Sequence, residues 1–155
     1  MATFSGDFHT PTGRFGLIAA RFNSFIVEHL VKGALDGFQR HGVSEVHIDI
    51  VYVPGSLELG LVAKQMARSN KYKALIAMGA IIQGETDHYD VVVRESAHGL
   101  SHAALESGIP VINAILTTST LEQAINRAGA KQGNKGFEAA LAAIEMTNLL
   151  EKLKP

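Results

Sequence analysis

Nine consecutive residues, Ala74-Leu-Ile-Ala-Met-Gly-Ala-Ile-Ile82, carry no polar side chain before the chain breaks into Gln83-Gly84. A strand with one face in water alternates apolar and polar residues. A run that does not alternate needs cover on both faces, which strands of a parallel sheet receive from their crossover helices. Parallel sheets require strand–helix alternation with right-handed crossovers, and they bind ligands just outside the carboxyl ends of their strands. This segment therefore constrains the chain to an α/β sandwich and marks Gln83–His88 as a functional edge.

The rest of the pattern supplies the alternation. Phe15–Arg21 reads as a strand, and Ser24 can cap a helix with Val27, Leu30, Val31, Ala34, Leu35 and Phe38 on one face, closed by Gly42. Val46–Val53 is the next strand, ended by Pro54-Gly55, and Ser56 to about Arg68 continues as a helix with Leu57, Leu61, Val62 and Met66 at core spacing. After the Ala74–Ile82 strand, Thr86 or Asp87 starts a helix toward Ser107, and Gly108-Ile-Pro precedes a fourth strand, Val111–Leu116. Thr120 with Gln123, or Ser119 with Glu122, forms a capping box for a helix ending at Gly129. A Gly133–Gly136 turn leads into a last helix with Phe137, Ala140, Leu141, Ile144 and Leu149 inward. Gly33 and Gly37, four apart in the first helix, predict a close helix contact.

Composition narrows the function classes. With 155 residues, 46% of them hydrophobic, one domain is expected, burying roughly 70% of the unfolded chain's surface. Fourteen basic and fifteen acidic side chains, with no long block of either sign, leave no electrostatic footprint for nucleic acid or an anionic membrane. The absence of cysteine excludes disulfides, thiolate zinc sites and a cysteine nucleophile. No signal-peptide pattern or apolar run of about 20 residues is present, so a cytoplasmic location is expected. No Gly-x-Gly-x-x-Gly or phosphate-loop motif points to a dinucleotide or nucleoside triphosphate.

Three polar loops carry the chemistry. Phe22, at a strand end, can stack on a flat heterocycle or staple the following helix. Ser56-Leu57-Glu58 offers backbone N–H groups, a hydroxyl and a carboxylate, suited to a polyol or an amide edge and equally to ordinary helix capping. Gly84-Glu-Thr-Asp-His88 combines backbone freedom, a helix start that favours an anion, and the side chain that moves protons near neutral pH. Arg127, Lys131 and Lys135 could gather a phosphate or form a solvated basic turn. His98 and His102, four apart on a helix, have no third ligand to make a metal site.

Four segments in this order, Ala-Arg-Phe-Asn, Val-Pro-Gly-Ser-Leu-Glu, Gly-Ala-Ile-Ile-Gln-Gly-Glu-Thr-Asp-His-Tyr-Asp and Arg-Ala-Gly-x-Lys-x-Gly-Asn-Lys-Gly, resemble the lumazine synthase family over nearly the whole chain. The resemblance implies a flavodoxin-like three-layer αβα sandwich, with about four parallel strands plus a short N-terminal strand. It implies the penultimate step of riboflavin biosynthesis: condensation of 5-amino-6-(D-ribitylamino)uracil with 3,4-dihydroxy-2-butanone 4-phosphate, releasing phosphate and water. It implies pentamers or shells of twelve pentamers, active sites between neighbouring subunits, and riboflavin synthase as a candidate partner. The short Gly129–Gly136 connection resembles that of shell-forming members and favours a sixty-subunit capsid.

By the same resemblance Phe22 stacks on the pyrimidine, Ser56, Leu57 and Glu58 hold it and its ribityl chain, and Ala80, Ile81 and Ile82 line the ring with backbone groups. Glu85 and Thr86 offer N–H groups to the phosphate, and Arg127 reaches it across the interface. His88 is the general acid/base, with Lys135 and Glu138 in support. Neither metal nor redox cofactor is implied, because orienting an amine against an activated ketone supplies roughly 7–11 kcal/mol. Leu57, Gln83 and Asn113 stand where many members carry an aromatic, an arginine and a neighbour's phenylalanine, which reshapes the ring slot. A paralogue acting on another sugar phosphate, or a non-catalytic flavin- or lumazine-binding shell protein, is the rival reading.

Overall fold

A computed structural model describes all 155 residues. Its frame is β1 (Arg14–Ala20), α1 (Ser24–Arg40), β2 (Ile48–Val53), α2 (Leu59–Arg68), β3 (Tyr72–Ile82), α3 (His88–Ser107) and β4 (Val111–Thr118). There follow α4 (Leu121–Arg127), a ribbon of β5 (Ala128–Ala130) and β6 (Gly133–Asn134), and α5 (Lys135–Leu153). The sheet order is β2-β1-β3-β4, every pair parallel. Phe15, Leu17 and Ala19 of β1 and Ile76, Met78 and Ala80 of β3 face α1 and α5. Ile18, Ala20, Leu75, Ala77 and Ile81 face α2 and α3. Both faces of β3 are thus covered, as its unbroken apolar run requires, and the architecture is the flavodoxin-like three-layer sandwich.

The order also locates the crevice. From β1 the chain goes to β2 on one side and then returns to β3 on the other, so the carboxyl ends of β1 and β3 flank the topological switch point. The opposite edge is sealed. There Arg14 Nη2 and Nε donate to Asp49 at 2.6 and 3.3 Å, and the Tyr72 hydroxyl donates to the same carboxylate at 2.8 Å. Arg14 first, and then Tyr72, holds the Asp49 carboxyl below its ordinary range.

One helix seam is unusually close, as Gly33 and Gly37 predict. A Cβ on Gly37 would lie 2.9 Å from the Ala140 Cβ, and one on Gly136 would fall 2.0 Å from the Leu30 carbonyl oxygen. The buried stripe of α5 is consequently made of small residues (Gly136, Ala139, Ala140, Ala143) with Ile144 and Thr147, while Phe137, Leu141 and Leu149 are half-buried at its sides. Asn134 caps α5 by accepting from Phe137 N at 3.1 Å, and its Nδ2 donates to His29 O at 2.9 Å, which registers the helix against α1.

Several local expectations are corrected. Residues 45–47 form a 3₁₀ turn capped by the Ser44 hydroxyl, so β2 starts at Ile48 and Val46 is exposed. Ser56–Glu58 is likewise a 3₁₀ turn, and α2 begins at Leu59. Its three residues per turn rotate the following helix, so Leu59, Ala63, Met66 and Ala67 are buried while Leu57 and Leu61 point outward, 51% and 66% exposed. The Thr120–Gln123 pair forms the capping box, α4 stops at Arg127, and Gly129 (φ 111°) belongs to the ribbon. β4 runs two residues past Leu116 to Thr118.

The short N-terminal strand is not formed. The segment before Arg14 leaves the sheet and runs to α5, where Asn148 Nδ2 donates to Asp7 O and His9 O at 2.9 Å each and Lys152 Nζ donates to Asp7 Oδ2 at 2.7 Å. No helix is long and apolar enough to cross a membrane.

Candidate active site

A cavity of about 390 Å³ opens at the carboxyl edge of the sheet, at the switch point. Volumes of a few hundred Å³ are typical of small-molecule sites. Three strand-end segments build it, and each is placed by a specific interaction. The β1 loop contributes Phe22 and Asn23, held by Arg21 N and Phe22 N donating to Val53 O and Pro54 O at 2.8 and 3.1 Å. Phe22 does not staple α1; the residue is 71% exposed at the rim. The β2 loop contributes Gly55 to Glu58. Its Ser56 is 8% exposed and fits over Gly79 of β3, where a Cβ would sit 2.5 Å from the Ser56 hydroxyl. Glycine at 79 is therefore what lets the turn lie on the strand.

The third wall is the end of β3 and the start of α3: Ala80, Ile81, Ile82, Gly84, Thr86, His88, Tyr89 and Val92. His88 is the first residue of α3, and Asp87 at the cap position makes no side-chain cap. The backbone N–H groups of Glu85, Thr86 and His88 have no acceptor in the chain, so the loop presents unpaired donors at a helix start. A Cβ on Gly84 would meet nothing within 4 Å, so no contact within the chain demands glycine there, and the space it leaves adjoins the cavity. An apolar floor, a flat aromatic at the rim, a hydroxyl and carboxylate on one side, and free amides beside an imidazole on the other suit a planar polar ring bearing a hydrophilic chain, with an anion adjacent.

The residues singled out in the sequence divide into groups. Phe22, Ser56, Leu57, Glu58, Ala80, Ile81, Ile82, Thr86 and His88 line this cavity, and Glu85 lies in the same loop without lining it. Asn113 and Lys135 line a different hollow, of about 420 Å³, along the outer edge strand β4. There Asn113 Oδ1 accepts from Ile115 N at 2.9 Å.

Arg127 borders neither hollow. Its Nη1 and Nη2 donate end-on to the Glu138 carboxylate at 3.2 and 2.8 Å, and Nη1 also donates to Gln132 O. Each partner shifts the other: Arg127 holds the Glu138 carboxyl below its usual range, and Glu138 raises the guanidinium. The Nε–H and the second Nη2–H lie side by side and have no acceptor in the chain, a fork of the kind that takes two oxygens of a phosphate.

Asn23, Tyr89 and Val92 line the cavity without having been singled out. Tyr89 and Val92 are three apart in the first turns of a helix, a spacing that already puts them on one face. His102, considered above with His98 as a metal ligand, instead has its Nε2 3.1 Å from Glu106 Oε2, which Lys64 Nζ approaches at 3.2 Å.

The sequence profile of 6,7-dimethyl-8-ribityllumazine synthase matches residues 12–151, from just before β1 to near the end of α5. That span contains both cavities and the Arg127–Glu138 pair. The chain belongs to the 6,7-dimethyl-8-ribityllumazine synthase family.

Proposed function

We propose that this chain condenses 5-amino-6-(D-ribitylamino)uracil with 3,4-dihydroxy-2-butanone 4-phosphate to give 6,7-dimethyl-8-ribityllumazine, as a transferase of riboflavin biosynthesis. The observation that carries the reading is the cavity itself. In a member of this family, Phe22, Ser56, Glu58, Thr86 and His88 line one cavity at the carboxyl edge of the sheet. Phe22 covers the pyrimidine, Ser56 and Glu58 hold the ribityl hydroxyls, and the main chain of Ala80–Ile82 reads the ring edge. The free amides of Glu85 and Thr86 receive the phosphate. Amine addition to a ketone expels water, and loss of phosphate requires a proton to leave carbon; on this reading His88, which lines the cavity, gives and takes those protons.

The groups that the single chain keeps apart are assigned to a second copy. Asn113, Lys135 and Arg127 lie outside the cavity, and the exposed apolar side chains Phe22, Phe25, Leu57 and Leu61 surround its mouth or the helices beside it, as an interface requires. A pentamer closes five such sites, and the tight β5–β6 ribbon supports a sixty-subunit shell built from pentamers. Sedimentation at pentamer mass across a range of phosphate concentrations and pH would refute the shell without touching the chemistry.

The direct test mixes the two substrates and follows lumazine absorbance and free phosphate. Appearance of both in parallel is expected. Binding of the lumazine without phosphate release would make the chain a non-catalytic module, and turnover only with another sugar phosphate would make it a paralogue.

A further inference from the structure

Asn23 ties the end of β1 to the end of β3 through its side chain, and its geometry is costly for a residue with no task. Its backbone lies in the left-handed region (φ 59°, ψ 41°), which among non-glycine residues only Asn70 shares in this chain. Asparagine tolerates that region better than most residues, yet such positions persist chiefly where the surroundings over-determine them, and they cluster at functional sites. Asn23 also occupies the cap position of α1, for which asparagine is among the best residues, and makes no side-chain cap. Ser44, Thr120 and Asn134 all cap their helices in this same chain. The Asn23 side chain has instead been turned away: its Nδ2 donates to the carbonyl oxygen of Ala80 at 2.8 Å, across fifty-seven residues of sequence.

The register of the sheet explains why that carbonyl is available. β1 stops pairing with β3 at Ala19–Met78, while β3 continues to Ile82 against β4. Two residues beyond the last β1 pair, the Ala80 carbonyl faces a side of β3 from which the neighbouring strand has departed. The Asn23 amide takes the place of the missing strand N–H. The main chain of the same loop is tied to the β2 end through Phe22 N to Pro54 O. All three strand ends that wall the cavity are thus joined through Phe22 and Asn23, and both residues line it.

We propose that Asn23 is a positioning residue for the ring half of the site, an assignment that rests on the proposed function. By holding the Ala80 peptide in one orientation, and fixing the Phe22 backbone at a set distance from it, Asn23 sets the spacing between the stacking ring and the main-chain edge that reads the pyrimidine. It acts through Phe22 and Ala80 and takes no part in proton transfer. Asn23 lines the same cavity as Thr86 and His88, but its one side-chain hydrogen bond goes to Ala80 and none goes to the anion half of the site, Glu85–His88. The clamp therefore discriminates between substrates: loss of Asn23 weakens the aminouracil and spares the butanone phosphate.

The experiment compares Asn23→Gly and Asn23→Asp with the unaltered full-length protein in steady-state assays that vary each substrate separately. Glycine accepts the left-handed backbone without strain and removes only the amide. Aspartate keeps the shape but sets a carboxylate against the Ala80 carbonyl. Both variants are expected to raise KM for the aminouracil about three- to tenfold, the range that loss of one hydrogen bond spans. KM for the butanone phosphate should stay within about twofold, and the thermal midpoint of Asn23→Gly should move by less than about 4 °C.

Equal rises in both KM values, wild-type behaviour of Asn23→Asp, or a change in midpoint with no change in KM overturns the assignment and leaves Asn23 a sheet-end brace. If the unaltered protein forms no lumazine, the proposed function fails independently. Amide exchange then decides the clamp: Asn23→Gly should speed exchange at residues 21–25 and 81–83, and unchanged exchange at both overturns it.

Discussion

Gly79→Ala tests the packing that seats the Ser56 turn on β3. The new Cβ would lie 2.5 Å from the Ser56 hydroxyl but 3.6 Å from the Ser56 Cβ and 3.5 Å from Leu59 Cδ1, so the hydroxyl is the only atom overlapped. Displacing it within a packed interior costs about 1–2 kcal/mol. Alanine in a strand interior returns about 0.5–1 kcal/mol of backbone entropy, because Gly79 does not use the positive-φ region. The net loss is about 0.5–1 kcal/mol, and at about 2–4 °C per kcal/mol the thermal midpoint should fall by about 1–4 °C.

In a Ser56→Ala background the overlap disappears and only the entropy remains, so the same change should raise the midpoint by about 1–4 °C. The coupling of about 1–2 kcal/mol between the two positions is read from a double-mutant cycle of thermal scans at one protein concentration. Gly79→Ala alone should also weaken aminouracil binding as Ser56→Ala does, since both remove the hydroxyl from its place. A fall in midpoint that is as large in the Ser56→Ala background as in the unaltered chain would refute this account of why β3 carries glycine there.

Three further outcomes are expected. His88→Ala should slow turnover about a hundredfold, the low end of general acid–base effects, and leave measurable activity, because orientation still operates; complete loss with intact assembly would contradict that weighting. Gly136→Ala drives a Cβ into the Leu30 main chain and should lower the midpoint by about 6 °C or more, whereas Gly84→Ala, with open space at its Cβ, should move it by less than about 2 °C; both are checked by calorimetry.

The third concerns the N-terminal segment. Asp7 is held at about 2 by hydrogen bonding to Lys152 first and to the His9 backbone next. Its carboxyl is thus depressed from the usual value near 4, so the tether is fully present above about pH 4 and is lost as pH falls through 2. Pepsin should begin to release the first residues only in that window, and Asp7→Asn should release them throughout it. Cleavage that shows no dependence on pH would rule the tether out.

Particular residues show how far the sequence could be read. Ala74–Ile82 has one physical solution, a strand covered on both sides, and Gly33 with Gly37 has one, a close neighbour; both are what the chain forms. The phase at the start of α2 was hidden because the Ser56–Glu58 turn winds tighter than an α-helix, which turns Leu57 and Leu61 outward, while Val62 and Met66 pack inward as their spacing implies. Leu57 and Leu61 are apolar without being core, which periodicity cannot distinguish. The β5–β6 ribbon is too short to carry a period. That Asn113 and Lys135 sit away from the His88 cavity follows from the order of the strands in space, which no local pattern records. Asn23 escaped notice because its partner is a backbone carbonyl far along the chain.

The separation of His88 from Arg127 and Lys135 in one chain has a genetic consequence on the proposed assembly. Each chain serves two sites, lending its imidazole to one and its guanidinium to the next, so a lesion in either group leaves the other half intact. Two impaired variants, His88→Ala and Arg127→Ala, are then complementary. Mixed during assembly in equal amounts, they leave about one site in four with both wild-type groups. Chains that work poorly alone would restore each other's function when made in the same cell.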